Sequence, residues 1–273
     1  MMPSACVFRR PGDIPPMDYF GYGCFANGYQ PTYKDHAEFN GEPYDLVAVG
    51  GNLRRYGGAN GRIFEYYRSK GTPVFVIEMG RLYYKALPQH WFFYLNRVPS
   101  WPPEVSDSTR RDRLFPPVEY KPRGENILIV GQDECFDHDL DVTVLSEIKR
   151  FSQRTTVWRP RKGHRSTFKS ADCVSNGLSV QEDLDRAWAV ITHSSNMGGE
   201  ALMRGIPVYC DPAASYAGIA HHELHEIDVL GPPPVEDVEA YLRGMSYICW
   251  SEEEMRSGEA LKWFLGNTDL TSY

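Results

Sequence analysis

Residues 189–212, AVITHSSNMGGEALMRGIPVYCDP, are the stretch from which the fold of this chain is read. Ala189, Val190 and Ile191 form a continuous apolar run, as a strand covered on both faces of a parallel sheet requires. A hydroxyl and amide cluster follows (Ser194, Ser195, Asn196), then the paired glycines Gly198 and Gly199, a short helix carrying Glu200, and a second apolar run, IPVYCD. Strand, turn, helix, strand is the repeating unit of an α/β fold. Small donors at the carboxyl end of the first strand, next to helix N–H groups with no partner of their own, suit a phosphate. The glycines admit a ligand or a neighbouring backbone. Glu200 lies one helical turn beyond Asn196, where a carboxylate can accept two hydrogen bonds from a ribose diol. His193 is read as lining such a crevice or as a satisfied core histidine. The competing reading of the whole stretch is a capped helix packed on a sheet.

The same alternation extends in both directions. Upstream, ENILIVGQ (125–132) is a buried strand ending in glycine, followed by a helix over 139–152 with Leu140, Val144 and Ile148 on one face. TTVWRPRKG continues as a strand and basic loop, and SVQEDLDRA as a helix whose Ser179 and Glu182 match capping-box spacing. Downstream, PVEDVEAYLRGMSYI and SEEEMRSGEALKWFL read as amphipathic tail helices, the second entered through Ser251 and acidic residues that complement the helix dipole. The first half carries strands at ACVF, DLVAVG (45–50) and PVFVIEMG (73–80), with a helix over 60–69. From Trp91 to Asn126 proline, aromatic and charged residues alternate without a period, which reads as loop and linker. The expected organisation is α/β in two Rossmann-like lobes with a cleft between them, 1–120 and 121–273, the second closed by the helical tail.

Composition sets limits on the function. The chain has 273 residues, 42% of them hydrophobic, enough for a substantial core. No apolar run approaches a membrane span or a signal peptide, so a cytoplasmic protein without a membrane segment is expected. The six cysteines are scattered without a C-x-x-C pair, which suits buried thiols in a reducing compartment. A formal charge of −7 argues against a nonspecific nucleic-acid coat, although Arg110, Arg111, Arg113, Arg159, Arg161, Lys162 and Arg165 fall in short basic runs. HHELHE (221–226) lacks the H-E-x-x-H spacing, and DECFDHDLD (133–141) lacks the spacing and glycine of a calcium loop, so no metal site is expected.

VITHSSNMGGEALMRGIPVYCD resembles the C-terminal signature of GT-B glycosyltransferases, especially those similar to capsular-polysaccharide transferases and short phage-encoded glycosyltransferases. ENILIVGQ resembles their second-lobe opening strand, and TTVWRPRKGH stands where they carry a strand and a basic or His-Pro loop. YLRGMSYICWSEEEMRSGEALKWF resembles the tail of the phage-type members, and VFVIEMG an E-x-G strand end. The resemblance implies a nucleotide-sugar donor, used as co-substrate without a further cofactor, on the second lobe and an acceptor on the first. Gly131 and Gln132 would line the crevice, with His193 beside them. Ser194, Ser195 and Asn196 would hold phosphate and Glu200 the ribose. One or more of Arg159, Arg161, Lys162 and His164 would neutralise the leaving phosphate.

An inverting transfer needs a general base. Glu78 is the first choice, because the carboxyl ends of strands face the crevice in open α/β sheets, and Asp45, which begins its strand, is the second. A retaining transfer needs no such base. Gly50 and Gly51 would admit the acceptor. The phage-type resemblance points to a hydroxymethylated pyrimidine in DNA, with Arg110, Arg111, Arg113, Trp91, Phe92, Phe93 and Trp101 as phosphate and stacking contacts. Alternatives are transfer to a surface glycan, epimerisation of a nucleotide sugar, and noncatalytic binding of a nucleotide or nucleic acid.

Overall fold

The computed structural model describes residues 2–9, 15–51, 58–79, 90–96, 102–132, 144–161, 171–175, 177–212, 214–229 and 231–267. In chain order the strands and helices are β1 (Ser4–Phe8), α1 (Pro16–Ala26), β2 (Gln30–Lys34), β3 (Leu46–Gly50), α2 (Ala59–Ser69), β4 (Val74–Met79), β5 (His90–Leu95) and α3 (Thr109–Leu114). Then come β6 (Asn126–Val130), α4 (Leu145–Phe151), β7 (Thr156–Arg159), β8 (Cys173–Val174), α5 (Val180–Asp185), β9 (Ala187–Thr192), α6 (Asn196–Leu202) and β10 (Val208–Cys210). The chain closes with α7 (Val235–Ser246), β11 (Cys249–Ser251), α8 (Glu252–Arg256) and α9 (Glu259–Gly266).

These elements group into two compact units. One comprises Met1–Pro99, Pro103–Leu114 and Arg243–Tyr273, the other Ser100–Pro102 and Phe115–Leu242. The first unit is built on a six-stranded sheet in the order β11-β5-β4-β3-β1-β2, with β2, β1, β3 and β4 parallel and β5 and β11 added antiparallel. Its central strands bury nearly every residue: Ala5, Cys6, Val7, Val47, Val49 and Val76 have no exposed surface. That is why the apolar runs show no alternation. The second unit carries an all-parallel sheet in the order β10-β9-β6-β7-β8. Ile127, Ile129, Trp158, Ala189 and Ile191 pack there against Leu145 and Ile148 of α4. The expected α/β class, with two Rossmann-like sheets, is what the structure has.

Three expectations need correction. The linker assigned to 91–126 contains β5 and α3, so Phe92 and Phe93 are buried sheet residues. The helix α1 is missed by sequence because Gly21 and Gly23 argue against a helix, yet they are there for close packing. A Cβ on Gly23 would stand 2.4 Å from the Met255 carbonyl oxygen, so the glycine lets α1 press against the tail. The tail itself belongs to the first unit: β11 pairs with β5, and α8 and α9 pack on α1.

Arg110 explains much of that return. Its guanidinium, in a residue only 6% exposed, donates to Ser246 O (2.9 Å), Cys249 O (2.8 Å) and Glu254 Oε1 (2.5 Å), and lies 3.8 Å from the centre of the Trp250 ring. Arg111 is equally buried, with Asp112 3.6 Å away. Neither is the solvent-facing acceptor contact expected from charge pattern: both side chains are buried, and the Arg110 guanidinium is spent inside the first unit.

Glu254 also caps α8 in a reciprocal box with Ser251. Burial alone would raise its carboxyl, but the hydrogen bond from Arg110, the Ser251 N–H and the Arg110 charge outweigh it and hold the carboxyl at about 2. A depressed folded value means the stabilisation is present above the unfolded value of about 4.3 and is lost as pH falls toward 2. Glu254→Gln, which leaves Arg110 without its counter-charge, is expected to lower the unfolding free energy at pH 7 by about 3 kcal/mol. It should also flatten the acid limb of stability between about pH 4.5 and 2. Urea unfolding across that range measures both.

Candidate functional site

In the second sheet β6 is central: the chain moves outward from it to β7 and β8, then returns to the other side for β9 and β10. Loops leaving the carboxyl ends of β6 and β9 therefore run in opposite directions, and such a reversal opens a crevice. The β6–β9 register pairs Val130 with Thr192, which brings the following residues together. Gln132 Nε2 donates to Ser194 Oγ (2.9 Å), and the Ser194 N–H donates back to Gln132 Oε1 (3.0 Å). Gly131 donates its N–H to Arg159 O (2.9 Å), and a Cβ there would lie 2.5 Å from the Trp158 ring. Only glycine lets β6 end so close to β7.

Around this junction, His193 is half-buried, with Nδ1 3.4 Å from Ser194 Oγ and Nε2 3.6 Å from Asp211 Oδ2. Ser195 is the N-cap of α6, its hydroxyl accepting from the Met197 N–H (3.4 Å). The Ser195 carbonyl accepts from the buried Tyr216 hydroxyl (2.6 Å). Asn196 opens α6 beside it.

Glu200 is 9% exposed and lies among partners of its own unit. Burial pushes its carboxyl above the ordinary value, against the Arg204 charge, a Gln181 hydrogen bond and the Arg159 charge. Arg159, expected at the donor phosphate, is instead ion-paired with the buried Asp183, and its guanidinium also donates to Leu178 O (3.1 Å). Arg161 donates to the Gln132 carbonyl (3.2 Å), at the junction itself. Lys162 and His164 lie outside the described residues, as do Trp101 and the acidic segment 133–141.

The first unit gathers a second group. Glu78 stands at the carboxyl end of β4, and a Cβ on Gly51 would lie 1.9 Å from Glu78 Cγ, so the carboxylate stem rests on that glycine. Gly50 ends β3 beside it and accepts from Asn60 Nδ2 at 2.8 Å. Asp45 lies at the opposite end of β3, where its carboxylate accepts from the Ser4 N–H (2.7 Å) and hydroxyl (2.9 Å). Those bonds hold it below its ordinary value and tie two strands together, so Asp45 is not grouped with Glu78. Asn60 is a residue that the sequence reading passed over. Its signal, an amide near a helix start just after a glycine pair, is common to many capped helices.

Other candidates resolve locally. His221 Nε2 faces Gly231 O (3.1 Å), and the His222 ring faces Cys210 O (3.0 Å) and Ala217 O (3.1 Å), contacts that metal binding would sacrifice. Cys173 is exposed rather than buried, and Cys6, Cys24 and Cys249 are buried free thiols. Among the described residues no helix is long and apolar enough to cross a membrane.

Two solved structures share the fold. The Thermosulfurimonas dismutans KpsC beta Kdo 2,4 transferase has a TM-score of 0.50 at 16% identity, covering 89% of this chain and 98% of that one. The beta Kdo 2,7 transferase of the same KpsC has a TM-score of 0.54 at 16% identity, covering 96% and 100%. The glycosyltransferase SnogD from Streptomyces nogalater aligns over 97% of this chain and 99% of its own at a TM-score of 0.30 and 12% identity. No family model matches the chain, and no curated protein matches it in sequence. The chain thus has a glycosyltransferase-like fold of the GT-B class expected from its sequence.

One local test concerns the turn that begins α6. A Cβ on Gly198 would lie 2.4 Å from both Cζ and Oη of Tyr216, a ring that is fully enclosed and tied to Ser195. Gly198→Ala is expected to cost about 1–3 kcal/mol by overpacking, read from chemical denaturation, because Tyr216 cannot withdraw without releasing the Ser195 carbonyl.

Proposed function

We propose that this chain is a glycosyltransferase that moves a sugar from a nucleotide-sugar donor to an acceptor hydroxyl. The observation that carries the reading is the Gln132–Ser194 junction at the reversal point of the second sheet, with Arg161 bonded to the same glutamine. A ligand entering there meets hydroxyl, amide and guanidinium groups together. In this reading Ser194, Ser195, Asn196 and Arg161 contact the phosphates, with Gly131 and His193 lining the crevice. Glu200 accepts from the ribose. Arg161 replaces Arg159 as the cation that stabilises the leaving phosphate. The donor is the co-substrate, and neither metal nor further cofactor takes part.

The acceptor is assigned to the first unit, with Glu78 as the base that takes the hydroxyl proton. A glycan hydroxyl is favoured over a hydroxymethylated pyrimidine in DNA. Of the residues behind the DNA reading, Arg110, Arg111, Phe92 and Phe93 are buried in the first unit and Arg113 is paired with Glu254, while Trp91 is half-buried and Trp101 lies outside the described residues. Both KpsC neighbours are named as transferases of a sugar, Kdo.

A thermal-shift panel of CMP-, UDP-, GDP- and dTDP-sugars tests the donor. One of them should raise the melting temperature, since a ligand at about 100 times its Kd stabilises by about 2.7 kcal/mol. No shift from any member at millimolar concentration overturns the reading. Glu78→Gln should keep that shift and lose about 10²–10⁴ in turnover, as removal of a general base does. A binding module would shift without turnover in the wild type, and an epimerase would convert the donor with no acceptor present. Transfer that persists unchanged in EDTA is expected, and its abolition there contradicts metal independence. DNA containing hydroxymethylcytosine, incubated with the shifting donor, should gain no mass.

A further inference from the structure

We propose that a cavity in the second unit, between α5 and the strands β6, β7 and β8, binds a small carboxylic acid with an apolar body. The inference stands apart from the transferase reading. Register makes the floor: Leu128, Val157 and Cys173 are partners across β6, β7 and β8, so their side chains share one face of the sheet. The other face carries Ile127 and Trp158, which pack with α4. On the Leu128 side the cover is α5, with only six residues, about 9 Å of helix. A cavity of about 290 Å³ remains there, with the half-buried Leu178, from the turn before α5, as a further apolar wall.

The polar groups around it are of two kinds. Asp183 and Ser175 are taken up: the Ser175 hydroxyl donates to the Asp183 carboxylate (2.6 Å), which is also ion-paired with Arg159. Asn126 and Arg186 are not. Neither the Asn126 amide nor the Arg186 guanidinium has a hydrogen bond or ion pair among the described residues, and Arg186 is exposed while Asn126 is half-buried. Glu182, one turn before Arg186 and within reach of its charge, accepts from the Ser179 N–H (2.8 Å) in the cap of α5.

These features select the ligand. An amide N–H and a guanidinium are donors, and together they suit a carboxylate. The Asp183 carboxylate on the same wall repels a second negative charge, which disfavours a phosphate dianion. Leu128, Val157 and Leu178 suit an apolar body and would leave the hydroxyls of a sugar without partners. An apolar cavity of about 150 Å³ accepts benzene, so about 290 Å³ holds an aromatic ring or a short alkyl chain together with its carboxylate. Cys173 is exposed on the same floor, which makes its thiol a reporter of occupancy.

The test follows alkylation of Cys173 by iodoacetamide, located by peptide mass spectrometry, with and without hexanoate or benzoate at constant ionic strength. Acetate supplies the charge without the apolar body, and benzamide the body without the charge. Saturation-transfer NMR reads binding separately. Hexanoate and benzoate at millimolar concentration should slow alkylation several-fold and saturably, with acetate and benzamide ineffective. Arg186→Gln should keep the unliganded alkylation rate and raise the half-protecting concentration about tenfold, the equivalent of one charge-assisted hydrogen bond. Arg186→Lys keeps the charge and should recover most of the loss.

No protection by either acid overturns the inference. Binding by NMR without protection overturns it too, since the acid then sits elsewhere. Equal protection by acetate or benzamide overturns the assignment of an apolar carboxylic acid. Recognition of the carboxylate by Arg186 is overturned by an unchanged half-protecting concentration in Arg186→Gln. It is also overturned by an altered unliganded rate shared with Arg186→Lys, which marks a side chain that only holds the wall in place.

Discussion

In the second unit, the position of β6 between β7 and β9 is the constraint from which the candidate site follows. A parallel sheet built outward from its middle strand has to send the chain one way and then back the other. The connections from the two central strands therefore diverge at their carboxyl ends. Gln132 and Ser194 are 62 positions apart in the chain and meet only because Val130 and Thr192 are register partners. The Gly131 contact with Trp158 and the Tyr216 bond to Ser195 hold the two strand ends in place from either side. The polar junction is therefore a product of sheet order, with close packing fixing its position.

The first unit reaches its form differently. Its parallel core of β2, β1, β3 and β4 is extended by two antiparallel strands, one of them from the tail of the chain. Closing that sheet means bringing residues about 140 positions apart into one buried cluster, where Arg110 meets Glu254, Ser246 and Cys249. A buried guanidinium is tolerable only when its charge is matched and its donors are used. The face of the Trp250 ring adds to that match. Placed this way, Arg110 ties the tail into the sheet of the first unit.

Long apolar runs made the sheets legible from sequence. β1, β3, β4, β6 and β9 are continuous enough that no other structure fits them, and the Ser179 capping box appears as read. What escaped notice was short or disguised. β8 has two residues and β11 three, too few for any period, and α1 conceals its helix behind glycines whose purpose is contact with the tail. That Gln132 and Ser194 come together could be anticipated, because both follow the carboxyl ends of neighbouring parallel strands. Asp45 lies away from Glu78 because the two stand at opposite ends of parallel neighbours, a consequence of strand direction alone.

Charge runs were the least readable feature, and RPRKGH shows why. In sequence its cations are equivalent donors to a phosphate. In the fold they are divided by the needs of the interior. Asp183 is 3% exposed and would be costly to bury without a counter-charge, and Arg159, which ends β7, supplies it. Ser175 donates to the same carboxylate, so the pair is also hydrogen-bonded as buried ions require. Two residues later the chain has left the strand, and Arg161 donates to the carbonyl of Gln132. The charge of Arg159 is thereby spent on an internal acid, whereas Arg161 stands at the Gln132–Ser194 junction. A basic run near a strand end is best read by first finding the buried acid it must neutralise.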